Sequence, residues 1–258
     1  MSKGLNKRDI KSALGENKKK IIFKKKTGST NTDLKNLALK NKADNKVVIA
    51  LKQTEGRGRL GRSFYSPENN GIYLSYFLKP SLNNEDIVLI TSASAVTVCK
   101  ALEKNITISP KIKWVNDIFY EGRKLCGILV EAVRDKDNAL SGVVIGIGLN
   151  CVRGNVPDEL DSIIGYLSDF CDGFNVNKIA ADIISELNNI ENLIKVNGLY
   201  DEYKKRSLVI GKNIKVLGDT PYSAYAEDID ERCGLIVKSE SGDIRTLTTG
   251  EITIRIDE

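Results

Sequence analysis

The sequence predicts an α+β protein in which a mixed β-sheet with flanking helices is followed by a small β-barrel. Three observations predict it. Strand-like runs and helical periodicities are interleaved, with short connections, as far as Arg206. Beyond that point the texture changes to short strands separated by Gly, Asp and Ser turns. At 258 residues the chain is long enough for one large domain and a small one. The division this gives is a basic N-terminal arm over 1–20, a main domain over 21–206 and the barrel over 207–258.

The elements follow in order. The arm is polar and basic, with one amphipathic stretch near 10–14 that could form a short helix. Ile21-Ile22-Phe23 reads as a strand leading into Gly28-Ser29-Thr30-Asn31. Leu34, Leu37 and Ala38 then recur at helical spacing, and Thr30 with Asp33 fits a capping box, so a helix starts there. Segments 47–51 and 72–78 are strand-like, which makes the glycine- and arginine-rich stretch between them a loop. Segment 87–102 reads as a long buried helix, and 112–115, 128–133 and 143–149 complete the sheet. Ile179, Ile183, Leu187, Ile190 and Ile194 mark one apolar face of a second long helix. The barrel strands are 214–217, 224–229, 235–238, 244–248 and 251–256.

Composition removes several function classes. The chain contains no histidine, so Ser-His and Cys-His nucleophile systems, His-ligated zinc and His general bases are excluded. Its five cysteines are scattered and form no Cys-x-x-Cys pair, which reads as reduced thiols in the core. No run approaches the roughly 18 apolar residues of a membrane span, and the Lys-rich N-terminus lacks a signal-peptide core. The expectation is a cytoplasmic protein without membrane association. A net charge of +5 resides largely in Lys18-Lys19-Lys20 and Lys24-Lys25-Lys26, runs whose plainest reading is a solvated face.

The chemistry concentrates in three segments. Gly56-Arg57-Gly58-Arg59-Leu60-Gly61-Arg62 alternates glycine with arginine, so a close-approaching backbone carries guanidinium forks suited to phosphate or carboxylate. It lacks the Gly-Lys-Ser/Thr ending of a phosphate-binding P-loop and the spacing of a dinucleotide fold. Asn116-Asp117, after a buried-looking Trp114, could hold a metal-bound triphosphate or be an ordinary turn. Lys124 could offset the repulsion between an α-phosphate and an attacking carboxylate, or be a hairpin-tip lysine after Glu121-Gly122-Arg123. Gln53 and Ser29-Thr30-Asn31 could bond a neutral polar head such as a ureido group, and Ser29 or Thr30 could also simply cap the helix.

Taken together, these residues resemble the biotin protein ligase family (biotin–[acetyl-CoA carboxylase] ligase) from about Ile22 to Arg255. The matching segments are Ser29-Thr30-Asn31, Gln53-Thr54 leading into 56–62, Ser66-Pro67 with Ile72-Tyr73-Leu74-Ser75, then 113–117, 123–131, 145–150 and Gly250-Glu251-Ile252. The resemblance implies a class II synthetase-like catalytic domain with an SH3-like C-terminal barrel. It also implies ATP and biotin as substrates, Mg²⁺ with the nucleotide, and a lysine of biotin carboxyl carrier protein as acceptor. By the same resemblance Ser29, Thr30, Asn31 and Gln53 line the biotin end, with Arg57, Gly58, Arg59, Lys124 and Gly127 near the carboxylate. Arg59, Phe64, Asn116, Asp117, Lys124, Asn150 and Arg255 would serve ATP, with Asp117 on the metal side and Lys124, Arg57 and Arg59 catalytic. The arginine loop would act as a lid that shields a labile anhydride from water.

The chain departs from the family pattern in three places. Phe64 stands where a tryptophan often stacks on adenine, and Val115 replaces the usual proline between Trp114 and Asn116, a change a strand should tolerate. Only 28 residues precede Ser29, too few for the winged-helix domain of the repressor members, so no DNA binding is expected. A lipoate ligase or octanoyl transferase is the nearest rival, disfavoured because those enzymes use a histidine motif. A basic nucleic-acid-binding module is the non-enzymatic rival. A free sheet edge could serve a second copy, giving a homodimer, or the carrier protein, and the sequence leaves both open.

Overall fold

The computed structural model describes residues 4–16, 19–83, 85–196, 198–218 and 220–254. In chain order the main domain runs α1 (Lys7–Leu14), β1 (Lys20–Lys24), α2 (Thr30–Ala38), β2 (Lys46–Ala50), β3 (Gly71–Leu78), α3 (Ile90–Asn105), β4 (Lys111–Lys113), β5 (Asp117–Tyr120), β6 (Arg123–Arg134) and β7 (Leu140–Asn150). The helices α4 (Asp158–Asp161), α5 (Val176–Asn188), α6 (Ile190–Lys195) and α7 (Gly198–Lys204) follow. The chain then enters β8 (Lys212–Leu217), β9 (Tyr222–Ile229), β10 (Leu235–Ser239), β11 (Ile244–Leu247) and β12 (Glu251–Ile254).

Seven strands form one mixed sheet in the order β1-β2-β3-β7-β6-β5-β4, with β1 and β2 parallel and the other neighbours antiparallel. Side chains of a strand alternate between faces, and β7 shows what that alternation does here. Val143, Ile145, Ile147 and Leu149 enter the large core with α3 and α5, whereas Val144 joins Leu34 and Ala38 of α2, Val48, Phe77 and Val133 in a smaller core on the opposite face. On that second face the next β7 positions are Gly146 and Gly148. Large apolar side chains therefore run out halfway along the sheet. The bare half is where the cleft lies.

The helices cover the other face. α3 is apolar or small on nearly every side, and Ile90, Val96, Val98 and Leu102 are fully buried. The predicted second long helix is two helices, because the chain leaves helical geometry at Asn189 (φ −100°, ψ 8°) between α5 and α6. Within 1–20 a helix forms after Asn6, whose side chain accepts from Asp9 N–H at 3.0 Å. Its Ile10 and Leu14 are buried, and Asn177 of α5 accepts from the Asn6 N–H at 2.8 Å. Lys19 sits 4.3 Å over the Tyr76 ring and Lys24 pairs with Asp33 at 2.9 Å, so the lysine runs are not uniformly solvated.

Two local expectations are corrected. The cap of α2 is Ser29, which accepts from Thr32 N–H at 3.5 Å, and not a Thr30–Asp33 box. Asp33 is drawn away by Lys24 and by Thr27 Oγ1 at 2.6 Å. The strand expected over 112–115 ends at Lys113, so Val115 lies in a turn, after a cis Trp114–Val115 peptide, and not in a strand.

The C-terminal strands form an antiparallel sheet in the order β11-β10-β9-β8-β12. These five antiparallel strands are the small C-terminal unit expected, and among the described residues β11 and β12 are the edges of its ladder. Trp114 Nε1 donates to the Cys233 carbonyl at 3.0 Å and Lys204 pairs with Asp228 at 2.7 Å, which fixes this sheet against the larger one. No helix among the described residues is long and apolar enough to cross a membrane.

Candidate active site

The floor of the cleft is made by strand glycines. Gly127 of β6 pairs with Gly148 of β7, and Gly146 lies two residues further on the same face. A Cβ at Gly146 would stand 2.3 Å from Asn31 Oδ1, and one at Gly148 would stand 2.4 Å from the Phe64 ring. Contacts that short are not made by real side chains, so the glycines let Asn31 and Phe64 descend onto the sheet.

At one end the N-terminus of α2 points into the cleft. Gln53 Oε1 accepts from Thr30 N–H at 2.8 Å and from Thr30 Oγ1 at 3.0 Å, while Gln53 Nε2 donates to Ser66 Oγ at 3.0 Å. Ser75 Oγ stands 2.8 Å from Thr30 Oγ1 and 2.5 Å from Asn31 Oδ1. Asn31 Nδ2 donates to Glu131 Oε2 at 2.9 Å. Ser29, Thr30 and Asn31 are all buried. This end is a rigid wall of hydroxyl and amide groups without net charge, suited to a neutral polar head.

Glu131 joins that wall to the arginine loop. It accepts from Lys35 at 2.9 Å, and its Oε1 lies 3.5 Å from Arg57. Burial raises the Glu131 carboxyl, but the hydrogen bonds from Lys35 and Asn31 and the Arg57 charge outweigh it, so the group titrates below its ordinary value. The loop is a tight hairpin: Phe64 N–H donates to the Gly56 carbonyl at 2.8 Å and Gly58 N–H to the Arg62 carbonyl at 2.8 Å. Leu60 at its tip has φ +52° and is 76% exposed, so nothing in the unliganded protein covers the tip. Arg59 Nη1 donates to Asn116 Oδ1 at 3.1 Å, and Arg62 pairs with Glu251 of β12 at 2.5 Å.

The far end is cationic. Lys124 Nζ lies 2.7 Å from Asp117 Oδ2, and a Cβ on Gly127 would stand only 3.4 Å from that ammonium. Lys113 lies on the same side; burial lowers its pKa, attraction from Asp117 opposes this, and repulsion from Lys124 adds to it. Among the described residues, five cationic side chains (Arg57, Arg59, Arg62, Lys113 and Lys124) line the cleft against two carboxylates, Asp117 and Glu251. Such a surplus in a recessed site favours a multiply charged anion.

The cleft therefore pairs a neutral polar end with a cationic end over a glycine floor, and known proteins share this chain's sequence and fold. Residues 23–150 match the Biotin/lipoate A/B protein ligase family, and residues 209–255 match the Biotin protein ligase C terminal domain. The biotin–[acetyl-CoA-carboxylase] ligase of Mycobacterium tuberculosis is 31% identical over 236 residues, covering 88% of this chain and 85% of that protein. The chain belongs to the biotin protein ligase family. The bifunctional ligase/repressor BirA of Bacillus spizizenii is 38% identical over 150 residues, 57% of this chain and 46% of that relative, so the match spans about half the relative's length. A biotin protein ligase from Aquifex aeolicus, solved in complex with biotin and ATP, aligns with a TM-score of 0.80 at 25% identity over 93% of this chain and 100% of that one.

Most residues singled out on the ligase resemblance line this one cleft: Ser29, Thr30, Asn31, Gln53, Arg57, Gly58, Arg59, Phe64, Asn116, Asp117, Lys124 and Gly127. Asn150 is not among the residues that line it; its Nδ2 donates to the Lys124 carbonyl at 3.2 Å. Arg255 lies outside the described residues. Lys124 is the second residue of β6, beyond the hairpin tip formed by Glu121 and Gly122. Glu131, Ser75 and the Gly146–Gly148 floor went unassigned in the sequence. The signal for Glu131 was its even spacing from Gly127 along one strand face.

Proposed function

We propose that this chain activates biotin with ATP and transfers it to a lysine of a biotin carboxyl carrier protein. The observation that carries the reading is the polarity of the cleft, with a neutral hydrogen-bonding wall at Asn31 and Gln53 and, among the described residues, five cations along the rest of its lining from Arg57 to Lys124. Biotin supplies both halves of that pattern, a ureido head and a carboxylate. ATP supplies the anion for the cationic end.

In the first step a biotin carboxylate oxygen bonds to the α-phosphorus of ATP while the bond to the β-phosphate oxygen breaks, releasing pyrophosphate and leaving biotinyl-5′-AMP. Lys124 sits where it offsets the repulsion between carboxylate and phosphate, a gain largest as the new bond forms. Arg57 and Arg59, which line the cleft from the hairpin, shield the anhydride from water. In the second step the carrier lysine, as the free amine, attacks the acyl carbon. An amide forms, the bond to the phosphate oxygen breaks, and AMP departs as the amine loses its proton.

Among the described residues no group of three or more acidic, Cys or His side chains is placed to hold a metal. The Asp117 carboxylate is already engaged by Lys124. The residues fit a Mg²⁺ that would arrive on the triphosphate, with Asp117 as the side chain that would meet it, better than a metal caged by protein. The bound ion would neutralise phosphate charge.

A lipoate- or octanoate-loading activity is the second reading, raised by the breadth of the family that matches 23–150. The match of 209–255 to a biotin-ligase C-terminal domain favours biotin. Pyrophosphate release from Mg·ATP, measured in parallel with biotin, lipoate and octanoate, tests the choice. Release with biotin alone is expected; release only with lipoate or octanoate would overturn the proposal.

A further inference from the structure

Lys124 stands where the sheet's own pairing fails. β7 pairs with β6 only from Cys126, opposite Leu149, onward. On the other side β5 is irregular between Ile118 and Phe119, and Phe119 faces Lys124. A segment from outside the sheet completes the backbone. The Lys124 N–H donates to the Ile163 carbonyl at 2.9 Å, and its carbonyl accepts from Gly165 N–H at 3.0 Å. A strap that substitutes for a strand is only as firm as what fastens it.

Arg153 fastens it. Its Nε and Nη2 donate to the two Asp169 oxygens at 2.7 and 2.8 Å, Nη1 donates to Asp161, and Nη2 reaches the Ile164 carbonyl at 3.4 Å. One planar guanidinium therefore ties both ends of the 161–169 strap, a geometry a lysine cannot reproduce. Burial raises the Asp169 carboxyl, yet hydrogen bonds from Arg153 and from the Tyr166 N–H bring it below its ordinary value. The strap also lies close: a Cβ on Gly165 would stand 2.8 Å from Arg123 Cβ. Arg153 itself does not line the cleft.

We propose that Arg153 is a positioning residue for adenylation, clamping the 161–169 strap against Lys124 so that its ammonium is held at the reacting phosphate. The inference rests on the biotin-activation reading above. Displacing a charged group by about 1 Å from its working position costs up to roughly a hundredfold in rate.

The test measures biotin-dependent pyrophosphate release by Arg153→Met in the parent chain and in a Lys124→Ala background. The expected result is a kcat lowered about ten- to a hundredfold in the parent, with KM for biotin near the parent value and no further fall once Lys124 is gone. An unchanged kcat, or the same fall in both backgrounds, overturns the proposal. If Arg153→Met does not fold, Arg153→Lys decides: it keeps the charge and loses the planar fork that holds Asp161 and Asp169 together. It should then give the same loss, again absent without Lys124, and an unchanged kcat would overturn the proposal. Amide hydrogen exchange over 123–127 without substrate separates the two claims. Arg153→Met, or Arg153→Lys in its place, should speed exchange there, and unchanged exchange refutes the clamp. A parent chain that shows no biotin turnover would instead defeat the functional reading.

Discussion

Replacing Gly148 with alanine tests whether the glycine floor sets the position of Phe64. The new Cβ would stand 2.4 Å from Phe64 Cε1 and 2.6 Å from Cζ, where ordinary contact begins at 3.4 Å. The ring must therefore retreat by about 1 Å, an overpacking that costs about 1–3 kcal/mol. Phe64 is only partly buried and can yield toward solvent, which places the cost in the lower half, about 1–2 kcal/mol. For a chain of this size that corresponds to a fall in Tm of about 2–8 °C. The displaced ring would intrude on the nucleotide end, so KM for ATP should rise about fivefold or more, with KM for biotin affected less. The assay is a thermal melt by circular dichroism beside the ATP dependence of pyrophosphate release. Phe64→Ala removes the clashing atoms, so adding Gly148→Ala to that variant should cost little. A Gly148→Ala protein with the parent's Tm and KM would refute the argument, as would fully additive losses in the double variant.

Further outcomes follow from the same geometry. Glu131→Ala removes the Lys35 acceptor and leaves Asn31 Nδ2 only its longer bond to the Leu129 carbonyl at 3.3 Å, at about 1–3 kcal/mol, and should raise KM for biotin as Asn31 is held less firmly. Because Glu131 titrates below its ordinary 4.5, its contribution is complete above that pH and is lost as pH falls through the depressed value; Glu131→Gln should flatten that part of an acid melting profile. Burial lowers Lys113 below its ordinary 10.5, so the cleft loses positive charge as pH rises toward that value, and KM for ATP should climb there in the parent but not in Lys113→Arg. Arg59→Gly removes the bond to Asn116 and should release biotinyl-AMP, seen as indiscriminate biotinylation of bystander protein, whereas Lys124→Ala should lose about a hundredfold or more in adenylation rate.

Much of the site was legible because its chemistry is local in sequence. Arginines alternating with glycines, and Asn116-Asp117 beside Trp114, mark a loop and a turn wherever the fold carries them. The strands of the central sheet were equally plain, since β2 and β3 are apolar runs bounded by turn residues. What stayed hidden depends on contacts between distant segments. β5 has four residues and follows a turn, too short for a period to register. The break at Asn189 does not interrupt the apolar spacing of Ile183, Leu187, Ile190 and Ile194, so α5 and α6 look continuous. Asn150 reads as a ligand contact until the sheet shows its amide turned to the Lys124 backbone. Glu131 has only its even spacing from Gly127 to mark it, and Arg153 carries no local signature. Their importance comes from partners about a hundred residues away or in a strap that lies outside the sheet.

The measurement that tests the central claim most directly is the mass of the small molecule retained by the protein. The chain would be incubated with biotin and Mg·ATP, desalted and sprayed under native conditions. Biotinyl-5′-AMP bound one per chain, lost when biotin is omitted, is the result this account predicts. A retained lipoyl or octanoyl adenylate from a mixed pool, or no adenylate from any of the three acids, would contradict it.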